Sequence, residues 1–179
     1  MSASLEALLA EVRACRVCEA HLPLGPIARA TLWLAAHVLP ALHVNGSGLQ
    51  VTPSDNDEVL RELSADLLII KNTRIDAVYG MVNLMDAALL SAPRMRTEAP
   101  VLYGARDEII PAEPTHRMIA AWRGRLRFAF CPGSYHMLLR DRDTETVWGD
   151  VLAWIDDATA SLPSGRDQDS IGLLAQDSR

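Results

Sequence analysis

Two residues of the chain have the types and the surroundings of an acid–base pair. Asp107 lies in a turn after a short apolar run that ends at Tyr103, and His136 lies in a turn after a second run that ends at Cys131. A carboxylate beside an imidazole selects one tautomer of the ring and stabilises the imidazolium that forms during proton transfer. The spacing alone is equally compatible with a turn aspartate and an exposed loop histidine, so both interpretations are open at this point.

The elements around the two residues predict that they meet. Pro100–Tyr103 and Leu126–Cys131 have the apolar patterning of strands, and Pro114–Trp122 between them suits a helix. Strand, helix, strand is a βαβ unit, in which the strands are parallel and the crossover is right-handed. The loops after both strands therefore open at the carboxyl edge of the sheet, where α/β proteins place their sites. One class of hydrolases presents the acid and the histidine of a Ser-Asp-His triad in this same order.

Helical periodicity dominates the remainder of the chain. The spacing of apolar residues predicts helices over Leu5–Glu19, Ala28–Leu39, Ile75–Leu90 and Thr144–Ala158. A shorter helix is expected up to about Leu63, with Ser54 or Asp55 as its N-cap and Glu58 completing a capping box.

The predicted fold class is therefore helix-rich α/β, with a helical region followed by a strand–helix–strand–helix unit. Val44–Pro53 contains Asn45-Gly-Ser-Gly48 and is typical of a loop, and the polar residues 161–179 are typical of a disordered tail. Only two strands are visible, and a two-stranded parallel sheet is marginal by itself. Its open edge would present unpaired backbone groups, so we expect self-association through that edge.

Composition excludes several classes of partner and compartment. A hydrophobic content of 49% suits a folded core, and a net charge of −6 argues against nucleic-acid binding, which needs clustered cationic residues. Three cysteines and no secretory signal indicate a reducing compartment, so we expect a cytoplasmic protein. The apolar stretch Ile27–Val44 is interrupted by Arg29, His37 and Pro40, which leaves peripheral membrane contact at most.

The remaining candidate ligands are weak. Cys15-x-x-Cys18 with His21 has the spacing of metal ligands, but a structural zinc site needs four ligands and Cys131 is a poor fourth. Inert helical cysteines are the favoured interpretation, and we predict neither a cofactor nor a metal.

Longer stretches around the pair resemble a known family. Val101-Leu-Tyr-Gly-Ala-Arg-Asp-Glu-Ile-Ile-Pro111 and Gly133-Ser-Tyr-His-Met-Leu-Leu-Arg-Asp141 resemble the C-terminal part of α/β-hydrolases of the monoacylglycerol lipase and lysophospholipase group. Segments before them resemble that group's cap, namely Pro53-Ser-Asp-Asn56, Thr73-Arg-Ile-Asp-Ala-Val-Tyr-Gly80 and Leu84-Met-Asp-Ala87. The resemblance implies a partial α/β-hydrolase fold and cleavage of glyceride or lysolipid esters, with Asp107 as the triad acid and His136 as the general base.

The nucleophile that this resemblance implies is missing from the sequence. No Gly-x-Ser-x-Gly pattern occurs among the 179 residues. Ser134 is a weak substitute, because a serine two positions from the base on one loop rarely reaches it in an attack geometry. We therefore expect a truncated or fused hydrolase homologue that is inactive alone. The alternative is a non-catalytic lipid-binding or interaction module built from the apolar cap.

The beginning of the chain has a different resemblance. Residues 5–26, which include Leu8-Leu-Ala-Glu-Val-Arg-Ala-Cys-Arg-Val-Cys-Glu-Ala-His-Leu-Pro-Leu-Gly-Pro26, are similar to the N-terminal segment of bacterial uracil-DNA glycosylase-like proteins. None of that family's catalytic motifs follow, so a glycosylase-like remnant is a third hypothesis. Four parts are expected: a foreign helical stub at 1–26, a cap-like region at 27–98, the C-terminal part of an α/β-hydrolase core at 99–160, and the tail at 161–179.

Overall fold

The computed structural model describes residues 25–46 and 51–167 of the chain. Its elements, in chain order, are α1 (Pro26–Val38), β1 (His43–Asn45), α2 (Asp57–Ala65), β2 (Asn72–Arg74), α3 (Ile75–Ser91), a 3₁₀ turn (Ala92–Arg94), β3 (Ala99–Gly104), α4 (Ala112–Ala121), β4 (Leu126–Cys131) and α5 (Thr144–Asp156). A helical region followed by a strand–helix–strand–helix unit confirms the predicted helix-rich α/β class. The stub with its Cys15, Cys18 and His21 lies outside the described residues.

The sheet that carries the candidate site consists of β3 and β4. The two strands are parallel and in register from Ala99 opposite Leu126 to Gly104 opposite Cys131. Helix α4 forms the crossover between them and packs on one face of the sheet. The buried cluster between helix and sheet contains Tyr103, Ile119, Phe128 and Phe130. Burial of these side chains fixes the register, because a one-residue slip would turn each strand's apolar side away from α4.

The helical region has a separate apolar cluster. Helix α1 packs against α3, and the buried side chains between them are Leu32, Ala35, Ile75 and Val82. Strands β1 and β2 pair antiparallel, with Val44 opposite Thr73. Strand β2 leads directly into α3. The prediction of a loop from Val44 was therefore wrong at its start. Three-residue strands with polar flanks show no periodicity, and their pairing depends on a partner far along the chain.

The predicted N-cap of the short helix was also wrong. Asn56 caps α2, and its Oδ1 accepts a hydrogen bond from the backbone N–H of Glu58 at 3.2 Å. Ser54 is fully buried, and its Oγ accepts from the N–H of Asn56. The carboxylate of Asp55 binds the loop after β4. Both predicted capping side chains are thus engaged elsewhere, which sequence spacing alone does not reveal.

Residues 161–167 lie against the sheet, where the sequence predicted the start of the tail. Leu162 is buried, and the backbone N–H of Phe130 donates to the carbonyl of Arg166 at 3.2 Å. This segment therefore covers the edge of β4 that faces away from β3. Among the described residues, β3 pairs with β4 alone.

Large apolar side chains are exposed in the helical region. In the turn after α2, Leu67 is 95% exposed, Leu68 is 89% exposed and Ile70 is 79% exposed. The stretch Ile75–Arg94 is long and apolar enough to cross a membrane by length and composition alone, a test that core helices of soluble proteins also pass. An exposed apolar surface of this extent is typical of a binding site for protein or lipid.

Candidate functional site

The carboxylate of Asp107 is held in one orientation by its own turn. Its backbone N–H donates to the carbonyl of Gly104 at 3.1 Å, which closes the turn after β3. Its Oδ1 accepts from the backbone N–H groups of Ile109 and Ile110 at 2.8 and 2.9 Å. The side chain is 6% exposed. One carboxylate oxygen is therefore fully used by the backbone, and Oδ2 is directed to a different partner.

That partner is the imidazole of His136. Nδ1 of His136 lies 3.0 Å from Oδ2 of Asp107, and the histidine side chain is 37% exposed. An ionised carboxylate only accepts hydrogen bonds, so Nδ1 carries the proton and Nε2 of the neutral ring is left as a base. The structure thus brings together the two residues that the sequence singled out, at the carboxyl edge of two adjacent parallel strands.

Gly104 allows the two loops to approach each other closely. A Cβ at this position would lie 2.4 Å from the carbonyl oxygen of Tyr135 and 2.5 Å from that of Ser134. The contact is reinforced by the N–H of Arg106, which donates to the carbonyl of Ser134 at 2.9 Å. The guanidinium of Arg106 also lies 5.7 Å from the ring centre of Tyr135. The acid loop (residues 105–111) and the histidine loop (residues 132–143) are therefore in direct backbone contact.

Asp141 supports the histidine loop from inside. Its side chain is buried, and Oδ2 accepts from the backbone N–H of Tyr135 at 2.7 Å. This bond fixes the peptide group that joins Ser134 to Tyr135, just ahead of His136 in the histidine loop. Sequence reasoning gave Asp141 no role, because nothing in its spacing distinguishes it from the nearby Asp143.

A segment from the helical region also contacts both loops. The backbone N–H of Thr52 donates to Oε2 of Glu108 at 2.7 Å. The carbonyl of Pro53 accepts from the N–H of Met137 at 2.9 Å. Asp55 accepts from the N–H of Arg142 at 2.8 Å. Sequence reasoning missed this arrangement, because the partners lie more than fifty residues apart in the chain.

Ser134 is not placed as a nucleophile. The residue is 1% exposed, and its Oγ has no hydrogen-bond partner in the part of the chain that the structure describes. A serine that attacks an ester needs both access to the substrate and a hydrogen bond to its base. Ser134 has neither, although it lies two residues from His136.

No metal site accompanies the pair within residues 25–46 and 51–167. Groups of three or more histidine, cysteine, aspartate or glutamate side chains that could hold an ion are absent from these ranges. The thiol of Cys131 is buried below the histidine loop, and this burial raises its pKa. The contact between Asp107 and His136 itself supports proton transfer at Nε2 of His136.

Comparison with known protein families places the chain in one of them. Residues 12–143, well over half of the chain, match the family described as serine aminopeptidase, S33. The match begins within residues 5–26, for which the sequence suggested a glycosylase-like origin. That resemblance stays a prediction.

Solved structures share the fold. A monoacylglycerol lipase from Paleococcus ferrophilus superposes with a TM-score of 0.64 and 19% identity, over 77% of this chain and 55% of that one. A soluble variant of monoglyceride lipase from Saccharomyces cerevisiae, in complex with a substrate analogue, gives a TM-score of 0.62 and 14% identity, over 75% and 48%. The present chain thus spans about half the length of these structures, and the partial α/β-hydrolase fold that the sequence predicted is confirmed.

Proposed function

Because the chain belongs to the serine aminopeptidase (S33) family, we propose that it is a homologue of serine ester hydrolases in which Asp107 and His136 are the acid and the general base. The observation that carries the proposal is the 3.0 Å contact between Nδ1 of His136 and Oδ2 of Asp107. In this arrangement Nε2 takes the proton of an attacking hydroxyl and later returns it to the leaving alcohol. The carboxylate stabilises the imidazolium that forms in between.

The attacking hydroxyl belongs to a serine outside these 179 residues. The sequence contains no Gly-x-Ser-x-Gly turn, and Ser134 is buried without a bond to His136. The two loops meet at the carboxyl edge of the sheet, and a further parallel strand of the same sheet would present its following turn at that same edge. The nucleophile then completes the triad from an adjacent part of the sheet, in the same or a second polypeptide.

The proposed substrates are esters of glycerides or lysolipids. The two structural neighbours are named as a monoacylglycerol lipase and a monoglyceride lipase, the latter with a substrate analogue bound. The exposed aliphatic side chains between α2 and β2 are consistent with an acyl substrate.

On this proposal the 179-residue chain alone has negligible hydrolase activity, because loss of the nucleophile removes covalent catalysis and costs several orders of magnitude in rate. The test combines turnover of a p-nitrophenyl ester with labelling by a fluorophosphonate, which reacts with activated serines. We expect turnover at the rate of the His136→Ala variant and no labelled serine. Robust turnover that is lost in both Asp107→Asn and His136→Ala, or a label mapped to Ser134, would refute the inactivity.

A second candidate is a lipid-binding module without catalysis. Leu67 and Leu68 are almost fully exposed in a turn of the helical region, and such side chains favour contact with acyl chains. Saturable binding of a fluorescent fatty acid that is unchanged by His136→Ala and reduced by Leu67→Ser and Leu68→Ser would favour this function. Absence of saturable binding would count against it.

We further propose a cytoplasmic location and self-association through an edge of the small sheet. The support for association is that β3 and β4 form a sheet of two strands among the described residues, and a parallel sheet of this size is marginal by itself. Sedimentation velocity over a range of protein concentrations measures this directly. A monomer that unfolds cooperatively at a midpoint independent of concentration would contradict it.

A further inference from the structure

We propose that residues 52–57, here called the bridging segment, position His136 against Asp107; this inference rests on the proposed function. The segment joins the helical region to both loops of the site. Thr52 donates its backbone N–H to Glu108 of the acid loop, and the carbonyl of Pro53 accepts from Met137 of the histidine loop. A single stretch of chain therefore holds the acid and the histidine at a fixed separation.

The backbone on each side of His136 has a separate anchor. The N–H of Tyr135 donates to the buried carboxylate of Asp141 at 2.7 Å. The N–H of Met137 donates to Pro53 at 2.9 Å. The peptide group between Ser134 and Tyr135 and the one that follows His136 are thus both held, which restricts the stretch of backbone from which the imidazole projects. One anchor lies within the histidine loop, and the bridging segment supplies the other.

Asp55 attaches the bridging segment to the end of the histidine loop by two hydrogen bonds. Its Oδ1 accepts from the backbone N–H of Arg142 at 2.8 Å, and its carbonyl accepts from Nε of Arg142 at 2.9 Å. A carboxylate acceptor makes a stronger hydrogen bond than a neutral one. These two bonds hold the end of the histidine loop, which would otherwise be free to carry His136 away from Asp107. Asp55 is thus a positioning residue, because it acts through the loop and not on a substrate.

Asn56 connects the histidine loop to α2. Its Oδ1 accepts from the N–H of Glu58 and so caps the helix, while its Nδ2 donates to the carbonyl of Arg140 at 3.3 Å. No residue of α2 is fully buried, so this joint is a principal attachment of the helix to the site.

The test is ¹⁵N NMR of the 179-residue chain labelled at histidine, at about pH 9, where the ring nitrogen shifts distinguish the two neutral tautomers. The His136→Gln variant assigns the signal. In the native chain, we expect His136 to carry its proton on Nδ1, with slow exchange because of the bond to Asp107. Asp55→Ala should lose this slowly exchanging proton. Asp55→Asn, which keeps a side-chain oxygen for Arg142, should restore it.

Asn56→Asp provides a second, more conservative variant. Aspartate is as good an N-cap as asparagine, so α2 keeps its cap while the bond to Arg140 is lost. We expect a faster-exchanging Nδ1 proton at His136 with an unchanged far-ultraviolet circular dichroism spectrum. If Asp55→Ala and Asn56→Asp both fold and keep the native His136 signal, the inference is overturned. Unfolding of both would give the segment a role in folding alone and would overturn it too.

Asp76→Ala is the matched control. Asp76 also accepts a backbone N–H, from Ala77 at 2.8 Å, and pairs with the guanidinium of Arg74, but it lies at the start of α3. Its loss should leave the His136 signal unchanged. A native chain without an Nδ1 proton at His136, or with one unaffected by Asp107→Ala, would defeat the proposed acid–base pair itself. A native signal that depends on Asp107 but not on Asp55 would defeat only the positioning role.

Discussion

Replacing Gly104 with alanine tests whether the close crossing of β3 and the histidine loop maintains the site. The added Cβ would lie 2.4 and 2.5 Å from two backbone carbonyl oxygens, whereas real Cβ contacts essentially never fall below 3.0 Å. The loop must therefore retreat by more than half an ångström. Backbone atoms cannot rotate out of the way as a flexible side chain can, so the effect is steric.

The expected cost follows from the bonds that this retreat stretches. The histidine loop and the end of β4 accept hydrogen bonds from Arg106 at 2.9 Å and from Ala105 at 3.0 Å. Each such bond contributes about 1 kcal/mol net, and overpacking costs about 1–3 kcal/mol. We expect the free energy of unfolding to fall by about 2–4 kcal/mol. For a chain of this size, that lowers Tm by about 4–16 °C, and His136 should lose its slowly exchanging Nδ1 proton.

Two other glycines provide the controls. A Cβ on Gly124 would lie 2.3 Å from the carbonyl oxygen of Thr97, at the opposite end of the sheet from the site. Gly124→Ala should therefore cost a similar free energy in urea unfolding while the His136 signal stays native. Gly133 is in the histidine loop with open space around it, and Gly133→Ala should stay within about 0.5 kcal/mol of the native chain. A Gly104→Ala variant as stable as Gly133→Ala, with a native His136 signal, would refute the reasoning.

Other perturbations test the packing beneath the site. The hydroxyl of Thr146 and the guanidinium of Arg166 hold the pKa of Asp143 below its ordinary value. This carboxylate thus stabilises the fold above about pH 4, and its contribution is lost as the pH falls through the lower pKa of the folded state. In urea unfolding between about pH 2 and 6, the free energy of unfolding of Asp143→Asn should therefore fall less steeply with decreasing pH than that of the native chain. Burial raises the pKa of the Cys131 thiol, so with the other two cysteines replaced by serine, the folded chain should react with a disulfide reagent far more slowly than the unfolded chain. An equal rate would contradict that burial. Leu162 is 5% exposed, and Leu162→Ala should cost about 2–5 kcal/mol in urea unfolding; a cost below about 1 kcal/mol would separate residues 161–167 from the core.

The strands and the longer helices were predictable because their signals are local. The six-residue strands Ala99–Gly104 and Leu126–Cys131 are each read from a short apolar run, and α3 from its helical spacing. The crossover rule for parallel strands then places the loops after β3 and β4 at one edge. The 3.0 Å contact of Asp107 and His136 is consistent with that placement.

The features that the sequence did not reveal depend on partners far along the chain. β1 and β2 are three residues long and are stabilised by each other across α2, so neither has a pattern of its own. Residues 161–167 are polar enough to suggest a tail, but Leu162 is buried and Arg166 binds the edge of β4. Such segments are stabilised by the sum of their long-range contacts, and the periodicity of the sequence carries no information about those contacts.

The difference between local signals and long-range contacts also applies to the site, and it determines how much of the chain is needed to position the site residues. The βαβ unit supplies both members of the pair, and Asp141 supports the histidine from within the same loop. The second anchor of His136 comes from Pro53, which precedes β3 by more than forty residues. A fragment restricted to β3, α4, β4 and the histidine loop would therefore contain both residues but lack the contact between Pro53 and Met137. The part of the chain that positions His136 is therefore larger than the βαβ unit that sequence patterns identify, and it includes the start of α2.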